Sequence, residues 1–370
     1  CSCPVTRPCA RNSMLQHADP GWTWQPSDTA VFLQAFAVGS SGTALTIILL
    51  AALTFEEKQR RQSAEGKGSD AESRPLLDRS KDSEPSPRLW RIIALVAIGM
   101  SPLILCVSIG ESLGNVLFAM VAMHWIAMLV FPALYYTIKS HEERGFATST
   151  LAFYSECFNT STSQLCFKVF RGCAIGLPVF LCLVSCYFLF RCNTYGSLVC
   201  VKNFERPLED YGMKVHSMPF RLAAATYFTF WNPLIEELFW RVFLHREVGL
   251  ELQVTSVTPP LPDGVPWRHL WKDIIALIPV WPPATSDASS AKLRWGVSCM
   301  YASYHTWPMK VLFLSNQAWW LHILGGFVFL VFLGRFFLVL RENSQFGLAS
   351  AYAVHAWVDA GFAVLCLFEV

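Results

Sequence analysis

Ten residues, Asn232-Pro233-Leu234-Ile235-Glu236-Glu237-Leu238-Phe239-Trp240-Arg241, put two carboxylates and a guanidinium inside an apolar, aromatic run from Phe220 to Leu244. On a helix, Glu237 and Arg241 lie four residues apart and pair on one face. Glu236 is turned about 100° away and lacks an obvious local partner. A charge at bilayer depth costs roughly 3 kcal/mol or more, so these residues are candidates for function. The competing reading is a structural Glu237–Arg241 pair that orders the bundle. Two further polar pairs stand on apolar stretches at helical spacing, Tyr301 with His305 and His355 with Asp359. Polar groups that share a stripe need partners away from lipid.

Glutamate with histidine is the usual equipment for activating a water molecule. A second histidine beside a proton-donating neighbour can hold a developing oxyanion. Together they point to hydrolysis without a covalent intermediate, and no Gly-x-Ser-x-Gly motif supports a serine mechanism. Glu236, His305 and His355 also form an alternative zinc set, three N/O ligands with water in the fourth position. Because no His-Glu-x-x-His motif accompanies them, the metal-free mechanism ranks first and no cofactor is expected.

The elements that must position these groups are apolar helices. Of the 370 residues 53% are hydrophobic, 14% aromatic and only 15% charged, and the mean hydropathy is +0.37. Soluble domains carry about 25% charged residues, so the chain reads as an all-α polytopic membrane protein. The net charge of +2 gives no sign of a nucleic-acid partner. The thirteen cysteines are mostly scattered through apolar runs, where they act as small hydrophobes rather than a disulfide framework. Cys1, Cys3 and Cys9 form a loose N-terminal cluster whose spacing is weak for a metal.

Residues 1–28 read as a polar tail, and 29–55 as a first span weakened in its middle by Gly39-Ser40-Ser41-Gly42. Residues 56–88 have the composition of a disordered loop, and their eight Lys and Arg make it cytoplasmic by the positive-inside rule. Spans two to four, at 89–110, 113–138 and 169–190, lie with their loops in 89–217. Lys139–Lys168 is expected to be a polar loop. Its acceptor sequence Asn159-Thr160-Ser161 falls on the cytoplasmic side and is expected to be unused. Residues 218–370 hold spans five (218–244), six (293–314), seven (318–340) and eight (344–370), about eight spans in all. His245–Lys292 is a long Pro-rich loop whose apolar stretch Trp271–Val280 is too short to cross. Counting from the cytoplasmic loop, Glu236 and His355 each lie about ten residues, roughly 15 Å, from the cytoplasmic surface, and His305 about 12 residues in. The three therefore share one layer, with its mouth expected on the cytoplasmic side.

These residues resemble the CPBP (ABI) family of intramembrane peptidases, which includes the type II CAAX prenyl endopeptidases. Glu236, Glu237 and Arg241 match its Glu-Glu-x-x-x-Arg motif. Tyr301 and His305 match its second, with Tyr in place of Phe, and His355 and Asp359 match its third, with Asp where eukaryotic CAAX proteases usually have Asn. The resemblance covers about 218–370. It implies that Glu236 is the general base, that His305 holds the water, that His355 and the residue at 359 form the oxyanion hole, and that Glu237 and Arg241 support the site. Since an aspartate donates only when protonated, Asp359 either carries a proton or orients His355. Trp307 and Pro308 stand where those proteases often carry further histidines. The implied substrate is a prenylated or membrane-anchored protein, cut at the C-terminal tripeptide of a CAAX sequence. The expected setting is the lipid bilayer of the endoplasmic reticulum or another internal membrane. A non-catalytic scaffold on the same fold is a competing reading, against which the retention of all three motifs argues. A transporter is another, and no related halves with broken helices support it.

Overall fold

The computed structural model describes residues 37, 87–113, 115–142, 150, 160–190, 217–254, 288–313, 319–342 and 346–365. The expected first span apart from Ala37, nearly all of the 56–88 loop, the N-terminal cysteines, Asn159 and Trp271–Val280 lie outside these residues. Every regular element among them is helical. We number the helices α1 (Pro87–Leu113), α2 (116–142), α3 (Thr162–Phe190), α4 (218–251), α5 (Ala288–Phe313), α6 (Trp319–Glu342) and α7 (Gly347–Ala363). Among the described residues, four stretches are long and apolar enough to cross a membrane: Leu89–Leu113, Val116–Ser140, Thr162–Cys186 and Trp319–Glu342. α4 is divided by π turns into short segments, and α7 has 17 residues, so neither reads as one long unbroken apolar helix.

Local signals account for several helix ends. The Asn115 side chain accepts a hydrogen bond from the Phe118 N–H at 2.9 Å and starts α2. Gly347, at φ +67°, makes the left-handed turn into α7. α4 ends with Gln253 in the same region (φ 57°). There Val254 N–H bonds to Gly249 C=O (2.9 Å) and Gln253 N–H to Leu250 C=O (3.1 Å), the paired closure of a Schellman motif.

Two expectations about loops are corrected. α2 runs on through Lys139, and α3 begins at Thr162, so part of the expected polar loop is helix. α4 likewise continues seven residues past Leu244, to Glu251. The reason is shared: Lys139 and the polar end of α4 satisfy one another. Lys139 Nζ lies 2.8 Å from Glu247 Oε2 and 3.0 Å from Glu251 Oε1. Arg246 pairs with Glu247 at 2.5 Å, and Arg91 reaches Glu251 at 3.5 Å. Hydropathy reads these charges as leaving the bundle, whereas packing buries them in pairs.

The ends of the helices sort into two groups. The start of α1, the end of α2 and the end of α4 meet in the Arg91–Lys139–Glu247–Glu251 cluster. The start of α5 and the end of α6 join them through Arg294, Glu342, Arg341 and His245. At the opposite end, Glu111 near the end of α1 accepts hydrogen bonds from Trp307 Nε1 (2.9 Å) and Lys310 Nζ (3.2 Å) of α5. Helices α1, α2, α4, α5 and α6 therefore run in the alternating directions that successive crossings require.

α3 packs along α7 through Gly172 and Gly176. A methyl group at Gly172 would come within 2.6 Å of the Ser350 carbonyl, and one at Gly176 within 2.7 Å of the Trp357 ring. Small residues four apart are the usual means of close helix approach in lipid. Here they press α7, the carrier of His355 and Asp359, into the bundle.

Candidate active site

α4 is an irregular helix. Pro233 lacks an N–H, so the backbone cannot keep an unbroken α pattern around it. Wide turns lie on both sides, at Tyr227–Trp231 and Glu237–Leu244. Asn232 N–H bonds to Tyr227 C=O, and His245 N–H to Trp240 C=O, each five residues back. Such π turns concentrate at functional sites. Glu236 stands between the two.

Both carboxylates are fully buried (0% exposed). The expected intrahelical pair is present, with Arg241 Nε 3.5 Å from Glu237 Oε1. The Arg241 guanidinium also lies over the rings of Tyr301 (4.2 Å) and Phe337 (4.9 Å), a cation–π arrangement that holds it between α5 and α6. Glu237 Oε1 is 2.8 Å from His355 Nδ1. Phe337 stacks on the His355 ring with centroids 4.8 Å apart. Glu237 and Arg241 thus form a scaffold that fixes the orientation of His355.

Glu236 has no partner on its own helix but several from others. The Tyr304 hydroxyl of α5 donates a hydrogen bond to Oε1. His124 Nε2 of α2 is 3.4 Å from the same oxygen, and His355 Nε2 of α7 is 3.5 Å from Oε2. Oε2 itself makes no hydrogen bond among the described residues. Asp359 Oδ1 lies 3.7 Å from His355 Nε2, and Asp359 Oδ2 accepts from Asn232 Nδ2 at 2.6 Å. Both Asp359 oxygens face protein groups, the geometry of a residue that orients His355.

A cavity of ≈ 140 Å³ opens beside this cluster. Its polar lining is Asn232, Glu236, Tyr301, His305 and Asp359, and the rest is apolar, with Val116, Met120, Phe228, Leu330 and Phe362 among it. His305 Nδ1 is 3.0 Å from the Tyr301 carbonyl, which can only accept, so Nδ1 carries the proton. In the neutral ring Nε2 is then an acceptor. The Tyr301 hydroxyl makes no hydrogen bond to a described residue. His355, expected in the oxyanion hole, is not part of the cavity wall. It stands behind Glu236 and Asp359.

The cavity takes Val116 and Met120 from the start of α2, Pro308, Met309, Val311 and Leu312 from the end of α5, and Phe362 and Ala363 from the end of α7. It therefore extends towards the Glu111–Lys310 end of the bundle. The expected mouth was at the end joined to 56–88, and the cavity runs the other way. Depth counting along single helices carries no information on which side of the polar groups packing leaves space.

Comparison with protein-family models, curated proteins and solved structures finds no match to this chain. What the site does must therefore be argued from its geometry.

Among the described residues, no three His, Cys, Asp or Glu side chains are arranged to hold a metal ion. In the zinc set, Glu236 and His355 approach each other, but His355 lies behind the cavity wall that His305 lines.

Three members of the site escaped the sequence reading: Asn232, His124 and Tyr304, whose hydroxyl bonds to Glu236. Asn232 sits one α turn before Glu236, the one amide in an apolar aromatic stretch, and that isolation was a usable signal. His124 is fully buried in a span of high hydropathy, where one imidazole reads as a packing residue. Removal of His124 should be felt through Glu236. His124→Phe keeps a ring in place but withdraws the neighbour of Oε1, and turnover should fall about 10- to 100-fold with the melting temperature little changed. Turnover equal to that of the parent protein would assign His124 to packing alone.

Proposed function

We propose that the chain is an intramembrane peptidase in which Glu236 activates water. The observation that carries this reading is one buried carboxylate at a cavity wall, with one oxygen fixed by Tyr304 and the other free of hydrogen bonds. A water in the cavity donates one hydrogen to the acceptor Nε2 of His305 and the other to the Glu236 carboxylate. Glu236 takes the proton as the water oxygen bonds to the scissile carbonyl carbon. It then returns that proton to the leaving amine as the C–N bond breaks. The Tyr301 hydroxyl is available to donate to the oxyanion between these steps. His355, held by Glu237 and Asp359, faces Glu236 from behind. Removing it from the cavity wall favours a positioning role over direct contact with the oxyanion.

No step requires a metal, and the metal-free mechanism is the one that the arrangement of His305 and His355 favours. The alternation of helix ends supports α4 and α5 as crossings beside the four spans that hydropathy identifies; with α7 and the expected span at 29–55, which lies outside the described residues, the count is about eight. The mainly apolar cavity suits a lipid-modified or membrane-borne protein substrate.

The resemblance to the CPBP family offers the prenylated CAAX tripeptide as that substrate. Such a protein arrives from the cytoplasm, so the Glu111–Lys310 end must face that side. The basic 56–88 segment argues for the opposite orientation. With 56–88 cytoplasmic, the substrate is a membrane-borne segment cut from the other leaflet. The deciding assay is made in detergent, where sidedness is irrelevant. A farnesylated CAAX peptide should lose its C-terminal tripeptide, at a rate that phenanthroline leaves unchanged. Loss of activity with stoichiometric zinc, and its return with zinc, would move the mechanism to the metal alternative. An uncut CAAX peptide beside a cleaved transmembrane peptide would exclude the prenylated substrate while keeping the chemistry.

A further inference from the structure

A second polar cluster lies away from the catalytic layer, at the end of the bundle joined to 56–88. Arg294 of α5 pairs with Glu342 of α6 at 2.7 Å, with a second contact at 3.1 Å. His245 of α4 approaches the same carboxylate at 3.5 Å, and Arg341 lies 3.4 Å from the other nitrogen of that ring. Arg335 completes the group. It precedes Glu342 by seven residues, two turns along the same face of α6, and its guanidinium lies 5.8 Å from the ring of Trp295, the neighbour of Arg294. Three arginines thus gather around one carboxylate.

Arg335 is only 9% exposed, and its Nε and Nη1 are buried without a hydrogen-bond partner. No ion pair or hydrogen bond joins it to any described residue. Glu342 attracts it without an ion-pair contact, but Arg294 and His245 already share that carboxylate, so the cluster keeps an excess of positive charge that a further anion would offset. Its surroundings say where that anion comes from. Phe332, one turn before Arg335, is 45% exposed and packs edge-on against Trp295 at 5.6 Å. Val328 and Phe329 continue the exposed apolar face of α6 below it. An apolar, aromatic face topped by arginines matches an acyl chain topped by a phosphate.

We propose that Arg335 and Arg294, with Arg341 behind them, bind the phosphate of an anionic phospholipid whose chain lies along Phe332 and Val328. A guanidinium presents paired N–H groups that fit phosphate oxygens. The cluster lies at the end that the basic 56–88 segment makes cytoplasmic, and the cytoplasmic leaflet is the one rich in anionic lipid. The site is independent of the peptidase reading.

Native mass spectrometry of the detergent-purified full chain, titrated with phosphatidic acid or phosphatidylcholine, tests this. Arg335→Met keeps the apolar stem and removes the unpaired charge, so the fold is not at risk. It should weaken phosphatidic acid binding tenfold or more and leave phosphatidylcholine unaffected. Lys310→Met removes an equal charge at the opposite end and should change neither. Equal weakening by both variants, or unchanged binding by Arg335→Met, would overturn the site. Displacement of the lipid by inorganic phosphate at similar affinity would assign the arginines to a soluble anion and overturn the lipid assignment. No readout depends on cleavage, so loss of the peptidase reading would not mimic any of these results.

Discussion

Glu236→Gln is expected to lower peptide cleavage by about 10²- to 10⁴-fold, the range that a positioned general base contributes. The amide keeps the shape of the side chain and can still accept the Tyr304 hydroxyl, so the packing around Oε1 survives. What it loses is the ability to take a proton from water. Melting temperature and detergent elution profile should therefore match those of the parent protein, and the loss should appear in kcat. Cleavage by the variant at the parental rate would remove Glu236 from the mechanism, and the cavity with its polar wall would need another explanation.

Glu237→Gln is expected to show the opposite balance, with stability falling together with activity. Glu237 is buried between Arg241 and His355, and its Oε1 serves both. Removing its charge leaves the buried Arg241 guanidinium, among the described residues, with the Tyr301 and Phe337 rings beside it. Breaking one half of a buried pair costs about 3 to 5 kcal/mol, whereas replacing both halves by apolar groups is often close to neutral. The double variant Glu237→Met with Arg241→Met should therefore recover most of the lost stability in a denaturant titration, while activity stays low because His355 has lost its anchor. A single variant as stable as the parent protein would show that Arg241 does not depend on the pair.

The contrast between neighbouring glutamates shows which parts of the site were legible along the chain. Glu237 with Arg241, Tyr301 with His305 and His355 with Asp359 are all spaced four apart. Helical repetition is local, so their shared faces follow from the sequence alone. The positions of α1 and α6 followed within a few residues from hydropathy, because a helix in lipid must satisfy its own backbone. Lys139, Arg246 and Glu247 defeated the same rule. Each looks like the edge of a loop until the others are beside it, and then all are buried as ion pairs that keep α2 and α4 helical.

What the sequence by itself determined is the inventory: an all-helical, apolar chain with a buried layer of Glu, His, Asp and Arg at fixed spacing. Tertiary structure alone decided which groups meet. It brought His124 and Tyr304 to Glu236, joined Asn232 to Asp359, set His355 behind the cavity wall and opened the cavity towards the Glu111–Lys310 end. The physical reason is that contacts between helices depend on crossing geometry and on backbone irregularities such as the wide turns around Pro233. Those choices are made by packing across residues far apart in the chain, and no period within one helix records them.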